Sequence, residues 1–205
     1  FQLQSILILY YPMFSPKLQE YKIILASGSP RRQQFFKDLG LDFEIRLREI
    51  DEIYPDHLKA HEITDYLSEL KAKAFDRTLA KQEILVTSDT IVWHENKALG
   101  KPKDANQAAK MLQSLSNATH QVITSVSFTT SGNTTTLHDY TEVTFTELTD
   151  EMIGYYISKF QPFDKAGSYG IQDWIGLVGV KSIKGSYTNV MGLPTHLVFE
   201  YFKKF

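Results

Sequence analysis

Apolar and polar positions in the first half of the chain alternate between two periods, one typical of buried strands and one typical of helices. Apolar runs at residues 21–26 and 84–93 predict two buried strands, the second of them interrupted by polar residues. Apolar residues repeated every three or four positions predict helices over residues 30–39, 62–79 and 104–116. Asp104 is placed to cap the third of these helices.

The second half of the chain is richer in strands. Two runs at residues 121–130 and 134–147 flank a Ser-Gly-Asn turn and predict a long β-hairpin. A helix capped by Thr149 is predicted to reach residue 160, further strand is predicted over residues 178–187, and Pro194 opens a C-terminal helix. We therefore predict one α/β domain with a mixed sheet flanked by helices, with two lobes around a cleft as a possible arrangement.

The segment ASGSPRR, residues 26–32, joins the first strand to the first helix. Ser29 is a good N-cap for a helix that begins with proline, and the free N–H groups and dipole of a helix N-terminus favour an anion. Arg31 and Arg32 oppose that dipole, but their planar guanidinium groups suit phosphate oxygens. The segment is neither a Walker A loop nor a dinucleotide fingerprint. Two interpretations stay open: a polyphosphate site formed by Ser27, Ser29 and the arginines, or a solvated turn.

A carboxylate interrupts the second apolar run. Asp89 has apolar residues on both sides, and burying its charge costs several kcal/mol unless the charge is paired or binds a metal. The alternative is a residue that caps a turn at a strand end. Asp51 and Glu52 lie in a polar loop and are typical of solvated surface on their own. Together with Asp89 they would provide oxygen ligands for Mg²⁺ or Mn²⁺.

Three further side chains are candidates by their local setting. Lys71 lies on a predicted helix, and Lys101 lies in a turn whose backbone is constrained by a flanking glycine and proline. Each lysine alone is equally typical of surface. Gln172 ends a glycine-rich loop, and its amide offers the donor and acceptor that a base edge requires. The six histidines show no metal-binding spacing and the serines no nucleophile elbow, so neither type receives a role.

Composition narrows the functional classes. The chain has 205 residues and a net charge of −2, which argues against a general nucleic-acid binder. It has no cysteine, which excludes a disulfide framework, a cysteine-based zinc site and a cysteine nucleophile, and which suits the cytoplasm. No apolar run reaches membrane-spanning length, so we expect neither a membrane nor a nucleic-acid partner. Residues 6–14 make a poor signal peptide.

The N-terminus is expected to be an extension. We interpret residues 1–20 as an N-terminal extension that is partly derived from a tag, with Met13 as the candidate native start. The remaining residues, 21–205, are then the functional domain.

Seven segments, taken in order, resemble the Maf family of nucleoside triphosphate pyrophosphatases. They span nearly the whole chain from about residue 21, and they are ILASGSPRRQQFFKDLG, the Asp51–Glu52 pair, ELKAKA, SDTIV, LGKP, DKAGSYGIQ and GSYTNVMGLP. The resemblance implies a Maf-like catalytic domain with an elongated mixed sheet and a deep active-site cleft, a fold shared with inosine triphosphate pyrophosphatases. It also implies a homodimer.

The resemblance further implies a reaction and its residues. Maf-like enzymes cleave a nucleoside triphosphate between the α and β phosphates, releasing a monophosphate and pyrophosphate, with Mg²⁺, Mn²⁺ or Co²⁺ as the divalent metal. The family's functional positions fall on Ser27, Arg31, Arg32, Glu52, Lys71, Asp89, Lys101 and Gln172. Asp89 takes the position of the proton acceptor, and with Glu52 it is expected to hold the metal.

The resemblance also indicates a branch of the family. The branch acting on dTTP and UTP carries Arg, Thr and Gln where this chain has Arg31, Thr90 and Gln172. The branch acting on 7-methyl-GTP has Trp, Gln and Glu at those positions. The expected function is hydrolysis of dTTP and UTP, modified pyrimidine nucleotides included. The alternative is a nucleotide-binding regulator of septum formation whose catalysis is incidental.

Overall fold

The computed structural model describes residues 13–75 and 78–205. The expectation that the first dozen residues derive from a tag concerns residues outside this range. Before the first strand, Ser15 caps a short 3-10 helix over Pro16–Glu20. Within the described ranges, no helix combines the length and apolar character that crossing a bilayer requires.

The strands of the described residues form one mixed sheet. Their bounds are β1 Lys22–Leu25, β2 Phe43–Ile45, β3 Glu83–His94, β4 Lys97–Leu99, β5 Thr119–Thr130, β6 Asn133–Phe145 and β7 Val180–Lys184. The order across the sheet is β2-β1-β3-β5-β6-β7, and β4 pairs with one end of β3. β1 runs parallel to β2 and β3, whereas the other neighbours are antiparallel. The predicted mixed sheet and the long β5–β6 hairpin are therefore confirmed.

Helices cover both faces of this sheet. Their bounds are α1 Pro30–Asp38, α2 His61–Lys73, α3 Ala105–Leu115, α4 Asp150–Phe160, α5 Trp174–Gly179, α6 Tyr187–Val190 and α7 Thr195–Phe202. The predicted caps are present, since the Asp104 side chain accepts from the N–H of Gln107 at 2.8 Å and Thr149 accepts from that of Met152 at 3.3 Å. The α/β fold class is confirmed.

Two predicted elements are wrong in extent. The helix predicted over residues 62–79 ends at Lys73, where the chain turns and buries Phe75 against the sheet. The strand predicted over residues 178–187 is reduced to β7, with a short helix on either side. Gly185, at φ +132°, turns the chain away from the sheet, and Ser186 then caps α6.

Successive side chains of β3 point to opposite faces of the sheet and enter different hydrophobic cores. Ile84 and Val86 point to the face covered by α1 and α7, where Phe36 and Phe202 are fully buried. Leu85 points to the opposite face, which α2 covers. A second core on the first face lies between α3, α4 and the far ends of β3, β5 and β6.

β3 leaves part of one edge open. On that edge, β1 pairs only as far as Val86, and β4 begins to pair at Val92. The five residues between them have β5 as a partner on the other edge alone, among the described strands. The backbone of residues 87–91 therefore faces an opening in the middle of the sheet, which is where Asp89 lies.

Candidate active site

The opening beside β3 leads into a cleft of about 1190 Å³. Its walls come from the 26–32 turn, the polar loop before α2, the middle of β3, the turn at Lys101 and two later loops, residues 164–169 and 190–192. β1 and β4 end on either side of the unpaired part of β3. The loops that follow or precede these strands therefore meet beside residues 87–91, although they are far apart in the chain. The cleft holds all of the predicted site residues except Gln172.

Lys71 joins the two predicted carboxylates. Its Nζ lies 2.6 Å from Asp89 Oδ1 and 2.9 Å from Glu52 Oε1, and it also donates to the carbonyl of Ser88 at 3.4 Å. Asp89 is buried, with a side chain 8% exposed, whereas the Glu52 side chain is 43% exposed at the cleft mouth. The buried charge of Asp89 is thus paired with the charge of Lys71. Pairing is one of the two arrangements that offset the cost of burying a carboxylate, and binding to a metal is the other.

The two carboxylates differ in acidity because they differ in burial. Burial raises the pKa of Asp89 above its usual value, although the ammonium of Lys71 opposes that shift. Burial also acts to raise the pKa of Glu52, but the charges of Lys71, Lys101 and Arg32 outweigh it, and the pKa is lowered. A raised pKa in a cleft is a property of groups that accept protons in catalysis.

The donor set also fits a divalent metal. Asp89 Oδ2 and Glu52 Oε2 make no hydrogen bond to another described residue, while the other oxygen of each carboxylate contacts Lys71. Carboxylate oxygens are the ligands that Mg²⁺ and Mn²⁺ prefer, and Mg²⁺ commonly uses one or two of them together with substrate phosphates.

Arg32 is held by the protein itself. Its Nε donates to the carbonyl of Gly192 at 2.7 Å, its Nη1 to the carbonyl of Ser88 at 3.1 Å and its Nη2 to Thr90 Oγ1 at 3.0 Å. Gly192 adopts φ +105°, which a side chain would strain. Burial lowers the pKa of Arg32, with Asp89 opposing the shift. Three of its five N–H bonds are used, so two remain for an anion.

The hydroxyl group that accepts from Arg32 is itself held by a series of hydrogen bonds. Thr124 Oγ1 donates to the carbonyl of Asn189 at 3.1 Å and lies 3.0 Å from Thr90 Oγ1. Thr90 must then donate to Thr124, and it accepts from Arg32. The Asn189 side chain is fully buried and donates to the carbonyl of Val122 at 3.1 Å. Sequence reasoning missed Thr124 and Asn189, although Asn189 lies inside the GSYTNVMGLP segment.

The turn before α1 presents free donors. Ser29 is the N-cap as predicted, but its side chain makes no capping hydrogen bond. Ser27 is buried, and its hydroxyl accepts from the N–H of Ser29 at 3.3 Å. Arg31 is held loosely, with its Nε 3.3 Å from the carbonyl of Met191 and its Nη1 3.8 Å from Asp164 Oδ2. Arg31 therefore has more freedom than Arg32 to contact an anion.

Lys101 and Gln172 occupy different settings. Lys101 lines the cleft, is exposed, and forms no ion pair or hydrogen bond with another described side chain. Gln172 is exposed in the loop before α5 and does not line the cleft. Tyr156, on α4, bonds two groups of this loop: its hydroxyl accepts from the N–H of Gly170 at 3.0 Å and donates to Asp173 Oδ2 at 2.8 Å. The structure thus brings seven of the eight family positions together and leaves Gln172 apart.

Known proteins are similar to this chain over almost its whole length. The family model described as Maf-like protein matches residues 22–205. The chain belongs to the Maf-like protein family. The dTTP/UTP pyrophosphatase of Flavobacterium johnsoniae is 65% identical over 189 residues, which cover 92% of this chain and 97% of the relative. That of Christiangramia forsetii is 54% identical over 192 residues, covering 94% and 98%.

Two solved structures match part of this Maf-like chain. The Ham1 protein of Staphylococcus aureus matches with a TM-score of 0.43 and 16% identity, covering 60% of this chain and 71% of that protein. The nucleoside-triphosphatase, or dITP/XTP pyrophosphatase, of Mycobacterium abscessus matches with a TM-score of 0.37 and 16% identity, covering 60% and 72%.

Proposed function

We propose that this protein hydrolyses dTTP and UTP, and modified pyrimidine nucleotides of the same form, to the nucleoside monophosphate and pyrophosphate. The observation that carries the proposal is the cleft itself, in which the N-terminus of α1 faces the two carboxylates joined by Lys71. Relatives named dTTP/UTP pyrophosphatase, at 65% and 62% identity, support the substrate.

The triphosphate is held by the cationic side of the cleft. The turn of residues 27–29, the first N–H groups of α1 and the guanidinium of Arg31 bind phosphate oxygens, since each is a donor without a strong partner of its own. Arg32 contributes its two remaining N–H bonds from a fixed position. Lys101 adds a mobile positive charge at the cleft mouth. These charges stabilise the pyrophosphate as it leaves.

Asp89 accepts the proton of the attacking water. The water oxygen bonds to the α-phosphorus, the bond from that phosphorus to the bridging oxygen breaks, and the electron pair leaves on pyrophosphate. Asp89 suits the role because its raised pKa makes it a stronger base than an ordinary carboxylate. Lys71 contacts only Oδ1 of Asp89, so Oδ2 keeps one lone pair for the proton of the water beside the one that would bind a metal.

Asp89 and Glu52 would hold the divalent metal, through the oxygens that Lys71 does not contact. Mg²⁺, Mn²⁺ or Co²⁺ bound there supplies positive charge that screens the phosphates and polarises the α-phosphorus. Lys71 keeps the two carboxylates close to each other against their mutual repulsion.

Substrate preference comes from Arg31, Thr90 and Gln172. The Thr90 hydroxyl is used by Arg32 and Thr124, so Thr90 acts by setting the position of Arg32. Gln172 is exposed on the loop before α5, three positions beyond Tyr169, which lines the cleft, so its amide is accessible to a base. We further propose that the enzyme works in the cytoplasm, in keeping with the absence of cysteine, and that it forms the homodimer which the family resemblance implies.

Pyrophosphate release from a panel of nucleoside triphosphates, with each metal in turn, tests the proposal. We expect dTTP and UTP to be preferred and excess chelator to abolish turnover. Reaction in ¹⁸O-water should place the label in the monophosphate, because the α-phosphorus is attacked. Label in pyrophosphate, or orthophosphate and diphosphate as first products, would reject this cleavage. A protein that binds dTTP without turnover under every metal would support the regulator instead.

A further inference from the structure

A seam of polar side chains joins α2 to β6, outside the cleft. Three residues one turn apart on the helix meet three alternate residues of the strand: His61 meets Tyr140, Asp65 meets His138, and Glu69 meets Thr136. The seam is regular because four helical residues advance about 6 Å and two strand residues advance about 6.4–6.8 Å. None of these six residues lines the cleft.

Two imidazoles and a carboxylate converge in this seam. His138 Nδ1 lies 3.2 Å from both oxygens of Asp65, and the rings of His61 and His138 have centroids 4.3 Å apart. One ligand atom of each of His61, Asp65 and His138 lies within 4.8 Å of the others. In a tetrahedral zinc site with bonds of about 2.0–2.1 Å, neighbouring ligand atoms lie about 3.3 Å apart. The Asp65–His138 pair is already at that spacing, and His61 needs a small side-chain adjustment.

Neighbouring residues orient these three side chains. Ser125 Oγ donates to Asp65 Oδ1 at 2.6 Å, and Thr64 Oγ1 lies 2.6 Å from the same serine hydroxyl, both of these hydroxyl residues being fully buried. The Tyr140 hydroxyl contacts His61 Nδ1. Hydrogen bonds of this kind, from a second group to a ligating carboxylate or imidazole, are a regular feature of protein metal sites.

We propose that His61, Asp65 and His138 form a zinc site, separate from the catalytic cleft, that ties α2 to the sheet. Two neutral imidazoles and one carboxylate suit Zn²⁺ better than Mg²⁺, which prefers oxygen ligands alone. Two ligands come from positions i and i+4 of a helix and the third from a paired strand, so all three lie on ordered elements. Bound Zn²⁺ stabilises the fold, because it binds the folded arrangement and not the unfolded chain.

The test compares metal binding by four full-length proteins: wild type, His138→Ala, Glu52→Gln and His196→Ala. Each is titrated with Co²⁺, whose visible absorption reports tetrahedral imidazole ligation, and with Zn²⁺ by calorimetry. His196 is the matched control, an exposed histidine that lies 3.8 Å from Asp139 and outside the seam. Glu52→Gln removes a ligand of the cleft instead of one of the seam.

We expect the tightest Zn²⁺ site of wild type to keep its affinity in Glu52→Gln and His196→Ala, and that affinity to fall at least tenfold in His138→Ala. Zn²⁺ should also raise the Tm of the first three proteins and not that of His138→Ala. Pyrophosphate release with Mg²⁺ should be unchanged in His138→Ala. Asp65→Asn should give the same loss of Zn²⁺ binding, which covers the case in which His138→Ala does not fold. Ser125→Ala should weaken Zn²⁺ binding by roughly 10–100-fold.

Equal Zn²⁺ affinity in wild type and in either His138→Ala or Asp65→Asn would overturn the proposal. Zn²⁺ binding that is lost in Glu52→Gln and retained in His138→Ala would also overturn it, because the metal would then lie in the cleft. No measurable Zn²⁺ binding to wild type would leave the seam as a set of polar contacts between helix and sheet.

Discussion

Asp89→Asn removes the proton acceptor and the negative charge of residue 89 and keeps its size and one hydrogen-bond acceptor. The amide keeps the size of the carboxylate and can still accept from Lys71 Nζ, 2.6 Å away in the wild-type protein, but it cannot take a proton. Loss of a positioned general base lowers kcat by roughly 10²–10⁴-fold. That range corresponds to about 2.7–5.4 kcal/mol of lost transition-state stabilisation.

The effect on stability should be smaller than the effect on rate. Lys71 keeps a carboxylate partner in Glu52 at 2.9 Å, so its charge is not left alone. Removing the buried charge of Asp89 also removes the cost of its burial. We therefore expect the free energy of unfolding to fall by no more than about 3 kcal/mol, the upper value for one hydrogen bond to a charged group.

Three measurements check this prediction: kcat from pyrophosphate release with dTTP, affinity for a nonhydrolysable α,β-methylene analogue by calorimetry, and the free energy of unfolding by urea. Affinity for the analogue should change little, because the proposed phosphate donors lie on the turn of residues 27–29, the first turn of α1 and Lys101. Asp56→Asn is the matched control, an exposed carboxylate of the same polar loop that does not line the cleft and makes no ion pair with another described residue. An Asp89→Asn variant that keeps more than roughly a tenth of the wild-type kcat would refute the reasoning and make Glu52 the better candidate for the base.

Three other changes test the remaining arguments. Arg32→Lys should lower kcat/KM roughly tenfold or more, since a point charge cannot replace three directed hydrogen bonds; wild-type steady-state kinetics would contradict it. Thr90→Gln combined with Gln172→Glu should shift preference away from dTTP in competition assays, and an unchanged preference would place base recognition elsewhere. Burial, with the charge of His94, lowers the pKa of His120 from 6.5 to about 3. The contribution of His120 to the free energy of unfolding should therefore be complete above pH 6.5 and be lost toward acid by up to about 1.4 kcal/mol per pH unit. In urea titrations at several pH values, His120→Gln should reduce that slope.

Local pattern was enough to predict much of the fold. The strand, turn and helix around residues 22–38 were predictable because apolar spacing, an N-cap and a first-turn proline act between near neighbours. The caps at Asp104 and Thr149 and the β5–β6 hairpin were predictable for the same reason. Asp89 stood out because a carboxylate in an apolar strand requires a partner. The resemblance of short motifs then indicated the family and the expected site positions.

The partners of those residues depend on tertiary structure. Arg32 and Gly192 are 160 positions apart, yet their contact helps to anchor this arginine, while the neighbouring Arg31 is held only loosely. In the sequence, Lys71 is as typical of an exposed lysine as of a site residue. Only the packing of α2 over β3 shows that it forms ion pairs with two carboxylates. The gap in β3 exists because β1 and β4 end where they do, which no local pattern records.

Histidine spacing shows the limit of sequence reasoning most clearly. His61 and His138 are far apart in the chain, so no spacing rule could pair them, and the register of β6 against β5 together with the position of α2 brings them to one seam. A sequence by itself determines period, caps and turns because these arise from residues within a few positions of each other. Which distant side chains meet is decided by strand register and helix packing, since a shift of one residue in a strand turns every side chain to the opposite face.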